Sequence, residues 1–284
     1  MVETIVALQY SVISTFIVGL VSLIGMLTIS FNDKLLKKLT KYSVSFATGA
    51  LLGAAFLHLL PHLLEKGTYS INSGLLVIYG FLFMFIVEKM TNLYHSHSHH
   101  DLDHNHSHSR TKQLPILISI GDGIHNFIDG LIIAGVYLVN IPAGIAVTIS
   151  TFLHEIPMEL ADFALLVKSG IKKKKALLIN FITAMTAVLG ALTAIYLSSF
   201  VPNIHRILLA IGVGNFTYIA SSVLIPELFK ENDYGNSVIH LTWIVIGIAL
   251  MIFLIPLGVW LKIIIKCLKI LLILFDLTNF YIVN

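Results

Sequence analysis

The chain has 284 residues, 57% of them hydrophobic and only 12% charged, with a formal net charge of +3 and a mean hydropathy of +0.90. Soluble domains carry about a quarter charged residues, so a water-soluble globule is excluded and a protein embedded in lipid remains. The single cysteine, Cys267, can close no internal disulfide and build no thiolate cluster, and so small and scattered a net charge does not point to nucleic acid.

Apolar runs of about 20 residues, the length a helix needs to cross hydrocarbon, predict spans at 5–31, 43–64, 71–88, 115–139, 141–167, 176–201, 207–229 and 238–261. The expected fold is all-α and polytopic, with eight transmembrane helices, because unpaired backbone facing lipid is too costly and the alternation of a membrane barrel is absent. The first run lacks a basic flank before it and is too long for a signal-peptide core, so it stays as the first helix. The third span is short, and the fourth and fifth are joined only by an Asn140-Ile141-Pro142 turn. Residues 1–261 read as one transmembrane unit, residues 94–113 as a loop within it, and residues 262–284 as a basic, apolar tail that suits an interfacial helix or a ninth span.

Eight spans put both ends on one side. Thirteen of the lysines and arginines fall in one set of loops and five on the side that holds the termini. Basic residues in short loops are retained in the cytosol, so the termini are expected to face outward or into a lumen and the 89–113 loop to face the cytosol.

That loop holds His95, His97, His99, His100, His104, His106 and His108, seven of the thirteen histidines, with Asp101 and Asp103. It cannot build a core. Imidazole is partly neutral near pH 7 and suits borderline divalent ions, so the loop reads as a weak metal-binding segment, with a solvated linker as the plain alternative.

Within the fourth span, Asp122, His125 and Asp129 share one stripe at 100° per residue, with Ser119 and Asn126 at its border. Within the fifth, His154, Met158 and Asp162 share a stripe that Glu155 and Glu159 flank. Five of the fifteen acidic residues therefore lie in two apolar helices. Each ionised acid at mid-bilayer costs about 2.5–3.5 kcal/mol, so these side chains are expected to face one another across a protein-lined site, with a divalent cation as compensating charge. Hydrogen-bonded glue between helices would explain one such residue better than it explains seven. Pro157 has no N–H for the carbonyl of Leu153, which is left open to a ligand or water. His58 and His62, one turn apart, read as an entrance on the lumenal side or as satisfied helix-end histidines. Asn215, Tyr218 and Ser222 form a stripe in the seventh span that reads as packing, and Asn180 in the sixth reads as a helix-to-helix hydrogen bond ahead of an outer ligand.

These residues resemble the Zrt/Irt-like (ZIP) family of metal transporters, and within it the subfamily whose fifth helix carries HExPHExGD. The resemblance rests on Phe56-Leu-His-Leu-Leu-Pro-His62, Gly80-Phe-Leu-Phe83, the histidine-rich loop, His125-Asn-Phe-Ile-Asp-Gly130, His154-Glu-Ile-Pro157, Tyr218-Ile-Ala220 and Pro226-Glu227. It implies an eight-helix transporter, not an enzyme, that moves zinc or a related ion such as Fe²⁺ or Mn²⁺ toward the cytosol through a binuclear-type site between the fourth and fifth helices. It departs from the pattern at Met158, where the family has histidine, and at Ala161, where it has glycine.

The expected mechanism is alternating access, with His125, Asn126, Asp129, His154, Glu155 and Glu159 replacing the hydration shell and Met158 kept in the set. Asp122 and Asp162 relay or orient, His58 and His62 line the pathway, and the loop histidines receive the ion. No prosthetic group is expected, and no P-loop is present to couple nucleotide hydrolysis. The partners are the divalent ion and lipid, with a homodimer left open and either the plasma membrane or an endomembrane as host. Three other functions are weighed. A non-transporting metal sensor or scaffold is suggested by Met158 and the loop, and an exporter is disfavoured by the resemblance. An intramembrane metallopeptidase fails because Met158 stands where the second zinc histidine of HExxH belongs.

Overall fold

The structure, a computed structural model, describes residues 2–26, 33–64, 71–96, 107–229 and 237–256. The expected tail at 262–284 and the histidine-rich segment from His97 to His106 lie outside the described residues, and His95 and His108 belong to the ends of the flanking helices.

Eight helical rods occur among the described residues, and no strand does. We number them in chain order. α1 runs Val2–Gly19 and tightens into a 3-10 turn at Leu20–Met26. α2 comprises Asp33–Gly53, a π-helical turn at Ala54–Leu59 and Leu60–Leu64. α3 is Ile71–Ser96, α4 is Ser107–Tyr137 and α5 is Ile141–Lys168. α6 comprises Lys173–Ala184 and Thr186–Ser198. α7 comprises Ile204–Tyr218, a π-helical turn at Ile219–Leu224 and Ile225–Leu228. α8 is Ser237–Pro256.

Seven of these are long and apolar enough to cross a membrane: Thr4–Ile24, Tyr42–Leu64, Ile71–Met90, Ile141–Val167, Lys173–Ser198, Ile204–Leu224 and Ser237–Pro256. The remaining expected span, the fourth at 115–139, coincides with α4. At 31 residues α4 is long enough, but Asp122, His125, Asn126 and Asp129 dilute its apolar run. The first span is described from Thr4 to Ile24, and its expected end at residue 31 lies outside the described residues.

Glycines set which helices touch. A Cβ on Gly130 of α4 would meet the backbone of Ala187, and one on Gly190 of α6 would meet that of Phe127. The same reciprocal contact joins α3 to α7 through Gly80 with Ile211 and Gly214 with Val77, and α2 to α8 through Gly49 with Ile244 and Gly247 with Phe46. Lipid offers no hydrophobic drive for helices to associate, so close backbone approach at small residues supplies the packing. One apolar core containing Leu51, Leu59, Ile132, Ile133, Val147 and Phe216 runs through the bundle.

Candidate metal site between α4 and α5

α4 and α5 meet through a short, well-capped turn. Asn140 caps α5 with its side-chain oxygen, which accepts from the Ala143 amide at 3.1 Å, and Pro142 fits the first turn, where no amide donor is needed. Gly144 leaves room for the ring of Tyr137, whose hydroxyl reaches Thr148 of α5 and Ser14 of α1. α6 is pinned to α4 at Gly130 and Gly190, and by Thr186 donating to the Gly123 carbonyl at 2.6 Å.

This packing brings four side chains to one point. His125 Nε2 and His154 Nε2 lie 3.3 Å apart. Glu155 Oε1 is 3.2 Å from the first and 3.4 Å from the second. Asp129 Oδ2 is 3.0 Å from His154 Nε2 and 3.7 Å from His125 Nε2. All four residues are buried, and neither Asp129 Oδ2 nor Glu155 Oε1 is hydrogen-bonded among the described residues. A tetrahedron whose corners stand about 2.0–2.1 Å from a central zinc ion has edges of about 3.3 Å, and the five separations, from 3.0 to 3.7 Å, scatter around that length. His154 Nδ1 lies 3.2 Å from the Ser150 carbonyl. Only an N–H can bond that oxygen, so Nδ1 donates, and in the neutral ring the Nε2 lone pair points into the cluster.

Glu155 also belongs to a second group with Asp122 and Glu159, whose carboxylate oxygens lie within 4.8 Å of one another. α6 closes this group. Asn180 donates to Glu159 Oε2 at 2.9 Å and to the Glu159 carbonyl at 3.1 Å, and Thr183 donates to Asp122 Oδ2. Glu159 Oε1 is buried with no hydrogen-bond partner among the described residues. Two groups sharing one carboxylate have the layout of adjacent cation positions.

The expected residues divide accordingly. His125, Asp129, His154 and Glu155 converge, and Glu159 joins Glu155 in the second group. Asp122, expected to relay or orient, sits inside that group as one of its three carboxylates. Asn126 is buried, but its Nδ2 donates to Asp122 Oδ1 at 2.8 Å and to the Asp122 carbonyl at 3.2 Å, which turns the amide along its own helix. Met158 packs against the apolar core. Asp162 is half-buried one turn beyond Glu159, outside both groups. His58 is held away from them, with Nε2 3.0 Å from the Met251 carbonyl of α8, and His62 is half-buried near the end of α2.

Asn180 makes the helix-to-helix bond that its position suggested. Two polar partners escaped the sequence reading. Thr183 gave no signal beyond its place one turn after Asn180. Asn215 was read as packing, yet its Nδ2 donates to Asp129 Oδ1 at 3.4 Å.

The family model of the ZIP zinc transporters matches residues 5–116 and 112–255. The zinc transporter ZIP13 homolog of Drosophila melanogaster is 29% identical over 85% of this chain and 87% of its own length. Zinc transporter zipt-7.2 of Caenorhabditis elegans is 32% identical over 75% of this chain. Human zinc transporter ZIP6 is 37% identical over 43% of it. The matched region spans 57% of the nematode protein and 16% of human ZIP6.

Proposed function

Because this chain belongs to the ZIP zinc transporter family, we propose that it carries a divalent cation, zinc foremost, across the membrane toward the cytosol. The convergence of His125, Asp129, His154 and Glu155 on one buried point carries the reading. Two anionic oxygens and two imidazole nitrogens form a borderline donor set, which suits zinc, while Fe²⁺ and Mn²⁺ are the related ions it would admit.

The residues share the work. His154, held in one tautomer by Ser150, and His125 supply nitrogen donors from α5 and α4. Asp129 and Glu155 supply charge that would be prohibitively costly in lipid without a cation. Glu155 hands the ion between the two groups, because one carboxylate serves both. Asp122 and Glu159, fixed by Thr183 and Asn180 of α6, form the second position and couple it to a helix outside the α4–α5 pair. The histidine-rich segment, on the cytosolic side by the charge tally, receives the released ion.

Two observations weigh against the other functions. Met158 packs into the apolar core where a metallopeptidase would need a zinc histidine. A sensor needs one binding position, whereas two that share Glu155 provide a step along a path.

Proteoliposomes that contain the purified chain and a trapped zinc-sensitive dye test the proposal. A zinc gradient without nucleotide is expected to produce dye signal. Stoichiometric zinc binding with no dye signal would identify a sensor and overturn transport.

A further inference from the structure

α7 forms a third wall of the four-ligand cluster. Gly212 admits the side chains of Leu59 and Ile132, and Gly214 admits the backbone of α3 at Val77, so α7 sits deep in the bundle. Phe216 then lies beside His154, with ring centroids 6.0 Å apart, and its neighbour Asn215 reaches Asp129.

Asn215 is only 1% exposed. Its Nδ2 donates to Asp129 Oδ1, the oxygen turned away from the imidazoles, which leaves Oδ2 to face His154. The amide cannot be reversed without setting its oxygen against the Asp129 carboxylate, so its orientation is fixed by charge. The remaining atom, Asn215 Oδ1, is buried and has no hydrogen-bond partner among the described residues. An asparagine used only to join helices would pair both ends of its amide, since an unpaired buried carbonyl is costly.

We propose that Asn215 is a member of the transport site, with Nδ2 orienting Asp129 and Oδ1 giving the passing cation a neutral oxygen donor from a third helix. This rests on the reading of His125, Asp129, His154 and Glu155 as the cation position. Four donors alone close a tetrahedral site. A fifth oxygen raises the coordination number without adding charge that would hold the ion too tightly for release, and it favours ions that take more oxygen ligands.

Cobalt(II), a coloured substitute for zinc, tests this with the purified full-length chain. The signal of a His125→Ala/His154→Ala variant, which keeps the loop histidines, is subtracted to isolate the central position. Asn215→Leu is expected to weaken that cobalt affinity about tenfold or more and to intensify its visible bands as the coordination number falls. Asn215→Asp, which keeps an oxygen, is expected to retain the native band intensity. Unchanged affinity in Asn215→Leu, or weaker affinity with unchanged bands, would overturn the proposal, as would intensified bands in Asn215→Asp. If subtraction leaves no signal in the native chain, the cation position itself fails, and the role of Asn215 falls with it.

Discussion

The imidazoles of His125 and His154 meet nearly edge to face, at an interplanar angle of 89°, with their Nε2 atoms 3.3 Å apart. With Nδ1 of His154 donating to Ser150, the lone pairs and the two nearby carboxylate oxygens repel one another unless a cation or proton stands among them. Zinc should therefore stabilise the fold. At a free concentration one hundred times the dissociation constant, the gain is about 2.7 kcal/mol. Thermal unfolding of the purified chain should shift upward with added zinc, and the shift should shrink in a His125→Ala/His154→Ala variant, which keeps only the group of Asp122, Glu155 and Glu159 in the bundle. An equal shift in both would place the stabilising ion elsewhere.

Asn180 reaches across from α6 to hold the Glu159 carboxylate at 2.9 Å. Loss of a hydrogen bond that orients a metal ligand costs about 10- to 100-fold in metal affinity. Asn180→Ala is expected to raise the KM for zinc transport by that order while the amount of protein in the membrane stays near native. A native KM would show that Glu159 needs no such support.

Met158 stands where the family pattern has histidine, yet its thioether packs against the apolar core. Exchange of methionine for leucine nearly conserves volume and costs less than about 1.5 kcal/mol. Zinc flux through Met158→Leu should stay within about twofold of native. A loss of tenfold or more would restore the thioether to the ligand set.

Gly130 and Gly170 should respond differently to substitution. A Cβ at Gly130 meets the backbone of Ala187, which no rotamer change can relieve, whereas Gly170 has φ +94° and nothing near its missing side chain. Gly130→Val should lose folded protein, because overpacking costs about 1–3 kcal/mol and forces α4 from α6. Gly170→Ala should cost only about 1 kcal/mol of backbone strain and leave flux native. Yields of monodisperse protein after detergent extraction separate the two cases, and equal yields would contradict the packing described for α4 and α6.

Much of this was legible in the sequence, for identifiable physical reasons. Lipid requires long apolar helices, so seven spans announce themselves, and even α4 shows through because its polar residues repeat on one face. The stripes of α4 and α5 pointed to His125, Asp129, His154 and Glu155 because ionisable groups in a membrane must share a partner. What stayed hidden depends on which helices approach. Thr183 and Asn215 reach the site only because glycines let α6 and α7 close on their neighbours, and a helical period tells which residues share a face but not what that face meets. Asn126 has the right stripe and burial, and its Nδ2 is taken up by Asp122 on its own helix, a local bond that spacing alone does not reveal. The relation between Asp122 and Glu155 is equally three-dimensional, since it joins two carboxylates from different helices.

Zinc uptake by cells expressing an Asp129→Ala/Glu155→Ala variant tests the central claim most directly, with the amount at the membrane matched to native. Those two carboxylates supply the anionic oxygens nearest both imidazoles, so uptake is expected to fall to the level of cells lacking the protein. Uptake equal to native would contradict the claim that a cation passes between His125 and His154.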